Sequence, residues 1–189
     1  RRRLPPILRR AVEHDLDAIW ASVLAAIRST LNTAARATGS TAGPDIANQI
    51  AAIGITNQRE TVGFWRRSNG KVLGRALVWQ DRRTASACEA LKAAGHEARV
   101  KKQTGLVIDP YFSATKIAWA IKNRPEVAAA LEDGDLLCGT IDTFLTYRLT
   151  GEHVTEPSNA SRTLLFDLHS GAWSDALLEI FQIPKEILP

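Results

Sequence analysis

Arg59 and Glu60 stand side by side where an apolar run, Ile50 to Thr56, breaks into Asn57-Gln58-Arg59-Glu60. A guanidinium donates several hydrogen bonds in a fixed fork, whereas a carboxylate only accepts them. Together they suit a small polyol, because each of its hydroxyls both donates and accepts. Spacing alone favours an ordinary surface ion pair, which would contribute little. Trp79 ends a second short apolar run, Ala76 to Trp79, and is followed by Gln80-Asp81-Arg82-Arg83. Its ring can lie on the carbon face of a sugar while the indole N–H donates, although a core Trp satisfies the same pattern. Tyr111, in Asp109-Pro110-Tyr111 ahead of a helix start, can offer a hydroxyl to a cleft or pack within its loop. Asp109 has no acidic neighbour with which to share a metal and reads as a turn residue.

Other chemistries find no footing. Neither GxxxxGK[ST] nor GxGxxG occurs, so no phosphate cradle can be named. GxSxG and HExxH are also missing. The two cysteines, Cys88 and Cys138, form no CxxC pair and read as buried reduced thiols in a reducing, cytoplasmic setting. The four histidines lack ligand-like spacing. Net charge is +4, but five arginines fall within the first ten residues, and the rest balances 19 basic against 20 acidic side chains. Residues 1–11 are therefore expected to be a disordered basic tail rather than a nucleic-acid surface. No apolar stretch reaches the roughly 18 residues of a membrane helix, and no leader-like apolar segment opens the sequence.

The elements that must position these groups follow from periodicity. Ile19, Trp20, Val23, Leu24, Ile27 and Leu31 draw one apolar stripe, which predicts a helix from Val12 to about Ala35 with Asp15 as N-cap. Thr38 to Pro44 reads as a loop. Ile50 to Thr56 reads as a strand buried on both faces. Thr61 to Trp65 and Lys71 to Leu73 flank Asn69-Gly70 and predict a hairpin, and Ala76 to Trp79 a further strand. Helices are expected over Thr84 to Ala94, Glu97 to Gln103, Ser113 (as N-cap) to Lys122, and Pro125 to Leu131. A strand at Leu136 to Cys138 precedes a helix from Asp142 to Leu149 closed by Gly151. The last third predicts a turn at Ser158 to Arg162, a strand at Leu164 to Asp167, and a helix from Ser174 to Phe181. Alternating strands and helices define an α/β class, in which ligands sit at the carboxyl ends of strands.

Four blocks go further: Thr56 to Thr61 (TNQRET), Val78 to Thr84 (VWQDRRT), Gly105 to Lys116 (GLVIDPYFSATK) and Asn159 to Phe166 (NASRTLLF). In this order and spacing they resemble the FGGY carbohydrate kinases, and among them the glycerol-phosphorylating members. The resemblance spans about Val12 to Pro189. It implies a ribonuclease-H-like (actin-like ATPase) fold of two domains, with glycerol and ATP meeting in the cleft between them. It implies that Arg59 and Glu60 hydrogen-bond glycerol, that Trp79 packs on its carbons, and that Tyr111 adds a hydroxyl. The reaction implied is transfer of the ATP γ-phosphoryl to glycerol, giving sn-glycerol 3-phosphate, with ATP and Mg²⁺ held mainly by segments outside this chain. A homo-oligomeric cytoplasmic parent, with no nucleic-acid or membrane partner, is also implied.

Residues 12–189 are then expected to be a partial N-terminal, glycerol-binding domain, and the isolated chain an inactive fragment. The family's opening strand and Gly-Thr-Thr phosphate loop should precede Val12, where only RRRLPPILRR stands. Its general-base aspartate, a second pocket aromatic and its adenine site should follow Pro189. No catalytic or metal-binding residue is therefore assigned. Another FGGY sugar kinase acting on a longer polyol, or a non-catalytic polyol-binding module, are the competing expectations.

Overall fold

The computed structural model describes residues 11–38 and 46–189. The basic segment 1–10 and most of the expected loop at 38–44 lie outside the described residues.

A four-stranded sheet orders the molecule. Strand β2 (Val62–Arg66) runs antiparallel to β4 (Leu136–Thr140), with Val62 opposite Thr140 and Arg66 opposite Leu136. On its other side β2 pairs with β3 (Ala76–Leu77), which pairs in turn with β1 (Glu13–His14) at the edge. All these ladders are antiparallel. Successive side chains of a strand face opposite sides of the sheet, and here both sides are buried. Phe64, Leu136 and Cys138 enter one core with Ile117, Val127 and Leu177. Trp65 and Leu137 enter a second core with Leu16, Ile141 and Phe144.

Helices cover both faces. Helix α1 (Leu16–Thr38) begins after Asp15, whose Oδ1 accepts from the Ala18 N–H at 3.1 Å, so the expected cap is in place. Its first turns pack on the second core: Leu16 is buried, and Ile19, Trp20 and Val23 lie against it. The remaining members of the stripe are half-exposed. Helices α2 (Ala85–Ala93) and α3 (Glu97–Thr104) lead to α4 (Ser113–Asn123) and α5 (Pro125–Glu132). After β4 come α6 (Ile141–Thr150), ended by Gly151 at φ 83°, and the short α7 (Pro157–Ala160). A two-stranded ribbon, β5 (Phe166–Asp167) and β6 (Ala172–Trp173), precedes α8 (Asp175–Phe181) and a 3₁₀ turn at Lys185–Ile187. Ser174 caps α8 through the Leu177 N–H. Gly70, at φ 69°, closes the hairpin, where Arg66 donates to the Lys71 carbonyl and Leu73 to that of Phe64.

Three expectations are corrected. The helix expected from Val12 begins at Leu16, because Glu13 and His14 pair with Leu77 and Ala76 as the edge strand β1. Ile50 to Thr56 forms no strand: it has no regular secondary structure and is exposed, with Ile53 62% accessible. An apolar run becomes a strand only where neighbours take up its N–H and C=O groups, and no described strand runs beside it. Ser113 does not cap α4. Phe112 holds that position, and the Ser113 hydroxyl instead donates to the Glu60 carbonyl at 3.3 Å.

Candidate functional site

The antiparallel register gathers three chain segments at one end of the sheet. Glu60 and Thr61 lead into β2, Trp79 lies two residues past β3, and Thr140 closes β4 opposite Val62. The strand-end rule for parallel sheets therefore does not place the site. The amino end of β2 lies beside the carboxyl ends of β3 and β4.

Tyr111 is delivered to this end by the loop before α4. Lys116 is fully buried, and its ammonium donates to three successive carbonyls, those of Pro110, Tyr111 and Phe112, the last two at 2.9 and 3.4 Å. Burial pushes its pKa down to about 8. Asp109 accepts from the Tyr111 N–H at 2.8 Å, and the Ser113–Glu60 bond ties the loop to the start of β2. The Tyr111 ring then rests 5.4 Å from that of Trp79, tilted by 52°.

Glu60 is only 5% accessible, and its Oε1 accepts from Nε of Arg162 at 2.6 Å. Arg162 comes from the turn after α7, a helix capped by Glu156, which accepts from the Ser158 and Asn159 N–H groups. The guanidinium carbon of Arg162 lies 5.0 Å from the Phe112 ring centroid and 5.9 Å from that of Tyr111. Glu60, Arg162, Tyr111 and Trp79 thus form one chain of contacts. Arg162 was within reach of the sequence, since its NASRT block stood out, but nothing there tied it to Glu60.

Arg59 is placed differently. It is exposed and lines an adjoining groove with Asn57, Asp142 and Asn159. In that groove Asp142 accepts from the hydroxyls of Thr140 and, at 2.7 Å, Thr155. Among the described residues Arg59 makes no ion pair, and no hydrogen bond or ring contact joins it to Trp79 or Tyr111. The structure thus joins Glu60, Trp79 and Tyr111 and leaves Arg59 at their border.

The segment after Trp79 is anchored by Asp81, which is fully buried between Arg83 and the Val12 N–H. Together these groups supply an acceptor carboxylate, donor guanidinium groups, a phenol and an indole face, the equipment for hydrogen bonding and stacking a small polyhydroxyl compound. Among the described residues no three His, Cys, Asp or Glu side chains gather to hold a metal ion.

The sheet with helices on both faces, together with the solved kinases it matches, places the domain in the actin-like ATPase fold. The structure of Plasmodium falciparum glycerol kinase with ADP superposes on all of this chain and 36% of its own, with TM-score 0.79 and 34% identity. A xylulose kinase from Lactobacillus acidophilus shares the fold over 77% of this chain and 29% of its own, with TM-score 0.61 and 24% identity. The chain belongs to the FGGY family of carbohydrate kinases, whose N-terminal domain matches residues 6–189. Glycerol kinases of Afipia carboxidovorans and Nitrobacter hamburgensis are 50% and 51% identical to it over 180 residues. That similarity takes in 94% of this chain and 34% of theirs, so the chain spans about a third of these relatives' length.

Proposed function

We propose that this chain forms the substrate side of an enzyme that transfers the γ-phosphoryl of ATP to glycerol, giving sn-glycerol 3-phosphate. The observation that carries the reading is the grouping of a buried Glu60 carboxylate with the Trp79 and Tyr111 rings at one sheet end. Similarity to glycerol kinases at about half identity supports the choice of glycerol.

In this reading Glu60 accepts hydrogen bonds from glycerol hydroxyls, Tyr111 supplies a further hydroxyl, and the Trp79 face excludes water from the carbons. Arg59, at the rim, donates to the hydroxyl that faces the adjoining groove. Phosphoryl transfer depends mainly on alignment and charge stabilisation, and these residues contribute alignment. ATP and Mg²⁺ supply the phosphoryl group and neutralise its charge; no described residue is assigned to either. A cytoplasmic, homo-oligomeric enzyme belongs to the same proposal. Among the described residues no helix is long and apolar enough to cross a membrane.

The test is an assay of the protein encoded by the complete open reading frame containing these residues. Glycerol-dependent release of ADP with formation of sn-glycerol 3-phosphate is expected. Turnover with D-xylulose but not glycerol would transfer the assignment to another sugar kinase of the family. Polyol binding without ATP turnover would make the protein a binding module.

A further inference from the structure

Arg162 meets Glu60 in an unusual way for a charged pair. Arginine and carboxylate commonly bind through two parallel N–H···O contacts. Here the one contact runs from Nε to Oε1, at 2.6 Å. Oε2 of Glu60 accepts from no group among the described residues, and neither terminal nitrogen of Arg162 donates to one. The Glu60 side chain is 6% accessible, so its charge needs a fixed partner. The Arg162 side chain keeps 26% accessibility, so its outer edge remains open to solvent. Its flat guanidinium also lies against Phe112 and reaches Tyr111. A lysine has neither that plane nor that fork.

We propose that Arg162 is a positioning residue of the polyol pocket. By holding Oε1 it turns Oε2 of Glu60 toward a substrate hydroxyl, and by backing Phe112 and Tyr111 it fixes the aromatic ring beside Trp79. This rests on the glycerol-binding reading above and adds to it a residue outside the four picked out in the sequence. Arg162 donates to no substrate atom in this scheme; it acts through Glu60 and Tyr111.

The experiment compares R162K, R162M, E60Q and the E60Q/R162M double variant in the complete protein, measuring kcat, KM for glycerol, KM for ATP and melting temperature. R162K keeps the charge beside the buried carboxylate, so it remains informative where R162M does not fold. The expected result is a rise in glycerol KM of at least ~10-fold in R162K with ATP KM within ~2-fold, the mark of lost substrate binding. In the E60Q background, R162M should add less than ~3-fold, because the two residues act as one unit. A normal glycerol KM in R162K and R162M, with E60Q impaired, overturns the positioning role alone. A lowered melting temperature with unchanged KM does the same, leaving Arg162 as a structural pair. If E60Q, W79A and Y111F all keep the parental glycerol KM, the pocket reading itself fails and this proposal falls with it.

Discussion

Arg83 grips Asp81, two residues before it, through Nε at 2.9 and 3.0 Å and Nη2 at 2.8 Å. The same Nη2 reaches Glu13 in β1 at 2.7 Å, and Asp81 also accepts from the Val12 N–H at 2.7 Å. Arg124 completes the cluster by donating to Glu13 at 3.0 Å, while Arg83 lies 4.4 Å from the Trp119 ring centroid. One carboxylate therefore clamps the edge strand to the segment carrying Trp79. Replacing one member strands a buried charge, which costs about 3–5 kcal/mol. D81N is expected to lose stability on that scale in urea unfolding. A loss below ~1 kcal/mol, the level of an exposed pair, would show that the cluster is not a clamp.

Lys116 gives stability a pH dependence of defined sign. Its folded pKa is about 8 against an ordinary 10.5. Between those values the unfolded chain holds a proton that the folded chain has released. Stability from this group therefore rises with pH through that window and is flat below it, approaching about 3 kcal/mol in total. Subtracting the unfolding profile of K116M from that of the parent isolates the contribution. A difference curve without slope between pH 8 and 10.5 would contradict it.

Cys88 and Cys138 are both free and buried, and burial raises both thiols above the usual range. Thiolates are the reactive form. Ellman's reagent should therefore detect neither thiol promptly in the native chain and both after denaturation. Rapid modification of either in the native state would mean that the sheet or α2 opens readily.

Gly63 and Gly139 are register partners in β2 and β4, and both leave room for a helix to approach. A methyl group on Gly139 would meet Thr143 Cβ and Cγ2 at 2.6 Å, atoms close to a stiff branched centre. On Gly63 it would meet Leu16 Cδ1 at 2.5 Å, the far end of a longer side chain. G139A should lose about 1–3 kcal/mol by overpacking, and G63A less, as read from melting temperatures. The reverse order would show that α6 adjusts more easily than Leu16.

Much of this architecture could be read from local patterns. The Asn69-Gly70 turn announced the hairpin, and 3.6-residue periodicity placed most helices to within a few residues. Glu60 and Trp79 stood out because polar or amphipathic groups ended apolar runs, and Tyr111 because it follows a proline ahead of a helix start. Ile50 to Thr56 misled because an apolar run has no memory of which neighbours it needs. The antiparallel order, which decides that β2 offers its amino end to the site, depends on pairings 62–78 residues apart that no window of sequence contains. Arg162 was missed for the same reason: its partner lies 102 residues away, and an arginine in a turn carries no periodic signature.

In the proposed reading, Glu60, Trp79 and Tyr111 together bind one polyol. The most direct measurement is a crystal structure of the complete protein with glycerol bound. The expected result is glycerol stacked on the Trp79 ring, with one hydroxyl on Glu60 Oε2 and another within hydrogen-bond distance of the Tyr111 phenol. Glycerol held elsewhere, such as in the groove beside Asp142 with none of these three side chains in contact, would contradict the account.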